Sequence, residues 1–289
     1  VKQKLIAFIL FILVGLILIF DHTSTLLMNP LVTPSSFLLG MPSVNMSLFD
    51  TQFVLIQPSS TIFVYLLGLL MIGLGIFFLL TKGTHKSRFL FGIGLILWGL
   101  GAIFAGTSYQ AFGYELKCLG MDYCLFTSKF EFVYLLLTAY SINFILTAVA
   151  YLEKDELSRN RLIQFAMYHS LAYTIFLFIG VIIPSRFMVS YEGFMMFVGG
   201  EFVLMFVVNL KNHLQQKDFL NRNFVIVWIL FFLVNVFYFI YLFSGVSETL
   251  YEVNHIWFNA NDVLHILLMG WALAIYFLVG KQLKDYHLE

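Results

Sequence analysis

Long apolar runs separated by short polar connections dominate the chain. They can be read at 5–20, 61–80, 89–107, 130–152, 162–183, 194–210, 224–243 and 261–280. A helix rises about 1.5 Å per residue, so runs of this length suit roughly 30 Å of hydrocarbon. The pattern predicts an all-α, polytopic transmembrane bundle with eight spans, one N-terminal helix plus a seven-helix core. The chain divides accordingly into 1–20, 21–60 and 61–289. The first run is short, follows Lys2 and Lys4, and lacks a small-residue cleavage site, which reads as an uncleaved signal-anchor helix.

Lys and Arg collect in every second connection: Lys2 and Lys4; Lys82, Lys86 and Arg88; Lys154, Arg159 and Arg161; Lys211, Lys217 and Arg222; Lys281 and Lys284. The alternate connections hold only Lys117, Lys129 and Arg186. By the positive-inside rule both termini are expected to be cytoplasmic, in a membrane such as the bacterial inner membrane. The outer segment 21–60 carries four of the five prolines yet is dotted with Leu, Phe, Met and Val. It is expected to lie on the outer interface over the helix mouths, with a short interfacial helix near 48–56, or to contact a partner subunit.

Composition narrows the partners. A chain of 289 residues that is 61% hydrophobic and 11% charged is a membrane protein rather than a soluble globule. A formal net charge of zero and the lack of any basic tract argue against nucleic acid and leave membrane lipids or other membrane-protein subunits. Cys118 and Cys124 share one short polar loop on the expected outer side, where an oxidising compartment favours a disulfide between them. Metal binding by the pair lacks neighbouring ligands, and two free thiols are the remaining alternative.

Polar groups gather at the outer ends of the spans. Ser108, Gln110 and Glu115 close the third, Glu131 opens the fourth, and Asn261, Asp262 and His265 open the last, preceded by His255. In the last helix Asn261 and His265 are four apart and Asp262 three from His265, so they occupy one face. Lipid would leave them without partners, so that face is expected to turn toward the third and fourth spans and enclose a polar pocket. Each residue also has a plainer role. Asn259, Asn261 or Asp262 fits an N-cap, and Glu131 suits the positive end of a helix dipole. Glu201, in mid-span beside Gly199 and Gly200, is expected either to act chemically or to hold helices together through Asn143 or Asn235, and His169 reads as structural.

The order Gly106-Thr-Ser108, Glu131 and Asn261-Asp-Val-Leu-His265 resembles the CREST superfamily of seven-helix membrane hydrolases and receptors, the alkaline ceramidase and progestin-adiponectin receptor type. The resemblance implies that Ser108, Glu131, Asp262 and His265 are catalytic. It also implies that zinc or another divalent metal sits on His265, Glu131 and Asp262, activating water against a lipid amide. In this chain Phe112 and Asn261 stand where that family carries two of its histidines. The pieces Gly-Thr-x-x-x-x-Phe-Gly and Phe-Asn-x-Asn-x-x-x-His are also similar to a bacterial multi-pass family without an assigned activity. Gln110, Glu115, Asn261 and His255 would then contact substrate. The competing expectations are a lipid hydrolase or lipid-binding protein, a non-catalytic accessory subunit of a larger complex, and, leaning on Glu201, a transporter.

Overall fold

The computed structural model describes residues 26–286. The helix expected at 5–20 lies outside the described residues. Among the described residues seven helices are long and apolar enough to cross a membrane. They are α2 (Pro58–Leu80), α3 (Lys86–Gly106, prolonged by a π turn over Thr107–Ala111), α5 (Lys129–Ala150), α6 (Glu156–Ile182), α7 (Tyr191–Gln216), α8 (Phe219–Phe243) and α10 (Ala260–Leu278). Short helices α1 (Pro34–Leu39), α4 (Gly113–Lys117) and α9 (Val246–Asn254) lie in the connections. This is a multi-pass helical membrane protein.

Several helices extend beyond the apolar runs because hydropathy marks only the part that hydrocarbon touches, whereas capping groups begin a turn or more earlier. Asp155 accepts from the Ser158 amide, Ser190 from Gly193 and Asp218 from Asn221. The bonds from Ser158 hold the exposed Asp155 carboxyl below its ordinary range.

The helix α3 is the centre of the bundle, and its glycines explain why. Gly92 and Gly99, one heptad apart, meet α2: a Cβ on Gly99 would lie 2.5 Å from the Gly68 carbonyl oxygen, and one on Gly92 2.8 Å from that of Gly75. Gly94 and Gly101, two positions on and so near the opposite side, meet Ser141, Ile145 and Thr138 of α5. Backbones therefore touch on both sides, which is how helices associate where no water drives them together. The Ser141 hydroxyl uses the proximity to donate to the Gly94 carbonyl at 2.7 Å.

Around this trio the other helices pack through aromatic rings. Phe202 and Phe231 stack at 4.2 Å, with Trp98 and Trp271 edge-on or tilted beside them. At the membrane face opposite the disulfide, the chain after α10 is clamped to α3. Asp285 accepts from the Lys86 and Ser87 amides at 2.8 Å each, and the buried Arg88 guanidinium donates to the Gly280 carbonyl at 2.7 Å. Arg88 thus serves as a cap for α10 as well as a positive charge at that face.

At the disulfide face the interfacial helix expected near 48–56 is absent. Residues there form an antiparallel hairpin, β1 (Ser43–Leu48) with β2 (Thr51–Ile56). The stretch Thr-Gln-Phe-Val-Leu-Ile is rich in β-branched and aromatic residues, which fit a pleated surface better than a helix. Met28 and Val32 exchange backbone bonds with Cys124, so the segment before the hairpin is stitched to the loop that the Cys118–Cys124 disulfide closes.

Gly99→Ala is expected to lower stability by about 1–3 kcal/mol through overpacking against Gly68. Gly73→Ala, on an open surface of α2 with nothing within 4 Å of its added carbon, is expected to be neutral or mildly stabilising. Thermal unfolding of the two variants in one detergent checks the contrast.

Candidate functional site

The site begins where α3 stops being an α-helix. Between Thr107 and Ala111 the bonds lengthen to the π pattern, with the Phe112 amide reaching the Thr107 carbonyl at 2.9 Å. Such insertions turn the following side chains and are frequent at functional sites. Gly113 then lets the chain fold onto itself, since a Cβ there would come 2.7 Å from the Ser108 carbonyl oxygen. The five residues of α4 carry Lys117 back over the first turn of α5.

There Lys117 Nζ meets Glu131 Oε1 at 2.9 Å, with side-chain exposures of 6% and 2%. The Ser108 hydroxyl donates to the same oxygen at 2.7 Å. Ser128 lies 2.6 Å from Ser108, and because the Ser108 proton points to Glu131, Ser128 donates to Ser108. The ammonium also stands 5.0 Å from the centre of the Tyr109 ring. A buried carboxylate is thereby supplied with a counter-charge and a hydroxyl.

The last span faces this cluster. At its start Asn259 and Asp262 form a capping box: Asp262 Oδ2 accepts from the Asn259 amide at 2.8 Å, and Asn259 Oδ1 from the Asp262 amide at 3.1 Å. With that end of the helix fixed, Asn261 and His265 turn inward. Together with Gln110, Glu131 and Glu192 they line a chamber of about 340 Å³. Tyr109, Tyr134, Tyr191 and Tyr238 supply much of the remaining wall. Gln110 is 4% exposed, and neither its Oε1 nor His265 Nδ1 has a hydrogen-bond partner in the protein. Beneath lies a second, apolar cavity of about 120 Å³ lined by Trp98, Phe202, Phe231 and Leu268. The two share Val64, Ala105, Tyr134, Tyr191, Leu264 and His265.

The sequence-derived candidates divide. Gln110, Glu131, Asn261 and His265 reach the chamber, and Ser108 stands behind Glu131. Asp262 is spent on the cap. Glu115 faces β2 and accepts from the Val54 amide at 2.7 Å. His255 is exposed at the end of α9. Among the described residues no three His, Cys, Asp or Glu side chains gather as a metal-ligand group. With Glu131 already matched by Lys117 and Asp262 in its cap, the donor set does not fit the zinc centre that the CREST resemblance implies.

Sequence reasoning missed Lys117, Ser128, Glu192 and the tyrosines. A lysine directly before a loop-closing cysteine, opposite a helix-opening glutamate, was the available signal for the first.

Glu201 finds its partner on α6. Its Oε1 lies 2.9 Å from His169 Nδ1, while Asn235, one of the partners expected for it, donates to the Phe231 carbonyl instead. Asn143 Nδ2 approaches the same His169 nitrogen at 3.4 Å. His169 Nε2 faces the Phe197 carbonyl at 3.1 Å, and a carbonyl only accepts, so Nε2 carries a proton. One further proton lies between Nδ1 and Glu201, and the pair is electrically neutral whichever atom holds it. Gly199 and Gly200 have nothing within 4 Å of an added carbon, so among the described residues no helix uses the close approach that glycines there permit.

No family model, curated protein or solved structure matches the chain.

Lys117→Met is expected to destabilise the protein by about 3–5 kcal/mol by leaving the Glu131 carboxylate buried without a counter-charge. Glu131→Gln added to the same chain is expected to restore part of the loss. A double-mutant cycle on thermal unfolding measures this coupling, and strictly additive effects would contradict it.

Proposed function

We propose that the chain binds a single-chain amphiphile from the membrane, with the polar head in the upper chamber and the beginning of the tail in the cavity below. The observation that carries this reading is that a space edged by polar groups adjoins an apolar one, with six residues lining both. The upper volume falls in the range of small-molecule sites. Burial of the tail against Trp98, Phe202 and Leu268 supplies affinity, and the polar residues above supply orientation.

Binding is better supported than hydrolysis. Ser108 is outside the chamber and gives its proton to a carboxylate already matched by Lys117. His265 has no group holding its Nδ1 in a defined orientation, which a general base of the triad type requires.

The disulfide face is proposed to be non-cytoplasmic, because the opposite ends of the helices carry most of the Lys and Arg. The chamber then opens away from the cytoplasm.

Ala105→Phe places a ring in both cavities and is expected to abolish co-purification of amphiphile, read by native mass spectrometry of the chain released from mild detergent. Retention of the same adduct at the same occupancy in a folded Ala105→Phe chain would refute the reading. For orientation, a membrane-impermeant maleimide added to intact cells is expected to label Glu252→Cys, on α9, and spare Thr84→Cys, in the loop after α2. The reverse pattern would invert the topology.

A further inference from the structure

The head-group chamber is unequal in what it offers. Gln110 Oε1 can only accept a hydrogen bond, is buried, and has no partner. His265 Nδ1 is likewise buried and unpartnered. The Glu131 and Glu192 carboxylates also line the space. Four tyrosine rings surround it, and two of them, Tyr109 and Tyr134, meet edge to face at 6.2 Å. Among the described residues no Lys or Arg side chain lines the chamber. The nearby cation, Lys117, is already committed to Glu131 and to the Tyr109 ring. Its charge cancels that of Glu131, which leaves Glu192 to make the lining negative. Glu192 itself is exposed, in the first turn of α7.

An unsatisfied acceptor on Gln110, an imidazole with no partner at Nδ1, several tyrosine rings and the Glu192 carboxylate favour one kind of guest. Ring faces attract cations, and a donor bearing positive charge bonds a neutral acceptor more strongly than a neutral donor does. An anionic head would meet Glu192 and find no cation to pair with. A quaternary ammonium would suit the rings but leave Gln110 and His265 without hydrogen bonds. We infer that the chamber is a site for a protonated primary amine, so that the ligand class is a single-chain amphiphile with an ammonium head. This inference rests on the amphiphile reading above and adds the chemistry of the head.

The test uses the full chain in phosphatidylcholine nanodiscs, with tritiated hexadecylamine as probe and protein-free discs subtracted for partitioning. Saturable binding is expected, with hexadecyltrimethylammonium, hexadecanol and hexadecyl sulfate each displacing the probe at least about tenfold more weakly than unlabelled amine. Gln110→Leu is expected to weaken amine binding about tenfold, and Gln110→Glu to strengthen it, so that a fold defect in one variant cannot imitate the result. If all four amphiphiles compete equally and Ala105→Phe abolishes binding of each, the amine inference falls while the amphiphile reading stands. If no probe binds saturably, or Ala105→Phe leaves binding unchanged, the amphiphile reading falls and takes the inference with it.

Discussion

A lysine ammonium 2.9 Å from a glutamate oxygen, with both side chains almost wholly withdrawn from water, sets the terms for one end of this bundle. Neither charge is tolerable there alone, since losing the hydration of an isolated ion costs several kcal/mol. The contact therefore demands that Lys117, six residues beyond the π turn, come back over the first turn of α5. The π turn, the tight fold at Gly113, the five-residue α4 and the disulfide that follows directly all serve that return. Once it is made, Ser108 is aimed at Glu131 and the ends of α3 and α5 are fixed side by side. A wall of the chamber is thereby built from an ion pair rather than from apolar packing.

The same rule governs the other polar groups in the bundle. Glu201 and His169 share a proton between them and so present no net charge to the surrounding helices. Asn209 bonds Asn221 at 2.8 Å and accepts from the Trp228 ring at the same distance. Arg88 rests on carbonyls at the end of a helix instead of on a carboxylate. Each of these side chains has at least one partner inside the protein, as a low-dielectric surrounding favours. Among the buried side-chain atoms without a partner, those of Gln110 and His265 belong to residues that line the chamber, whereas Arg88 Nε, Tyr173 Oη and Asp262 Oδ1 do not.

The helices were legible because hydrocarbon thickness forces long apolar runs, and six of the seven start within five residues of where those runs begin. The start of α6 was the harder one: Glu156 and Arg159, paired at 3.2 Å, make its first turn look like loop. The meeting of Glu131 with Asn261 and His265 followed from their common level in the membrane. For Asp262 the sequence left a capping and a pocket role open, because both occupy the same stretch and are separated only by which way the side chain turns; the capping box takes it. Glu115 was drawn off by a strand in the outer segment, where a short interfacial helix was expected. The pairing of Glu201 with His169 depends on the rotation of α6 against α7, a quantity that hydropathy does not carry.

The glycine contacts have a mechanical consequence. With the backbones of α2, α3 and α5 in touch at Gly68, Gly75, Gly94 and Gly101, these three helices cannot slide or tilt without collision. They act as a fixed jaw. The opposing jaw, made by Tyr191 and Glu192 at the start of α7 and Tyr238 near the end of α8, packs through side chains such as the stacked Phe202 and Phe231, and a carbon added at Gly199 or Gly200 of α7 meets nothing within 4 Å. Any change in the width of the chamber therefore falls to α7 and α8 more than to the trio locked by its glycines.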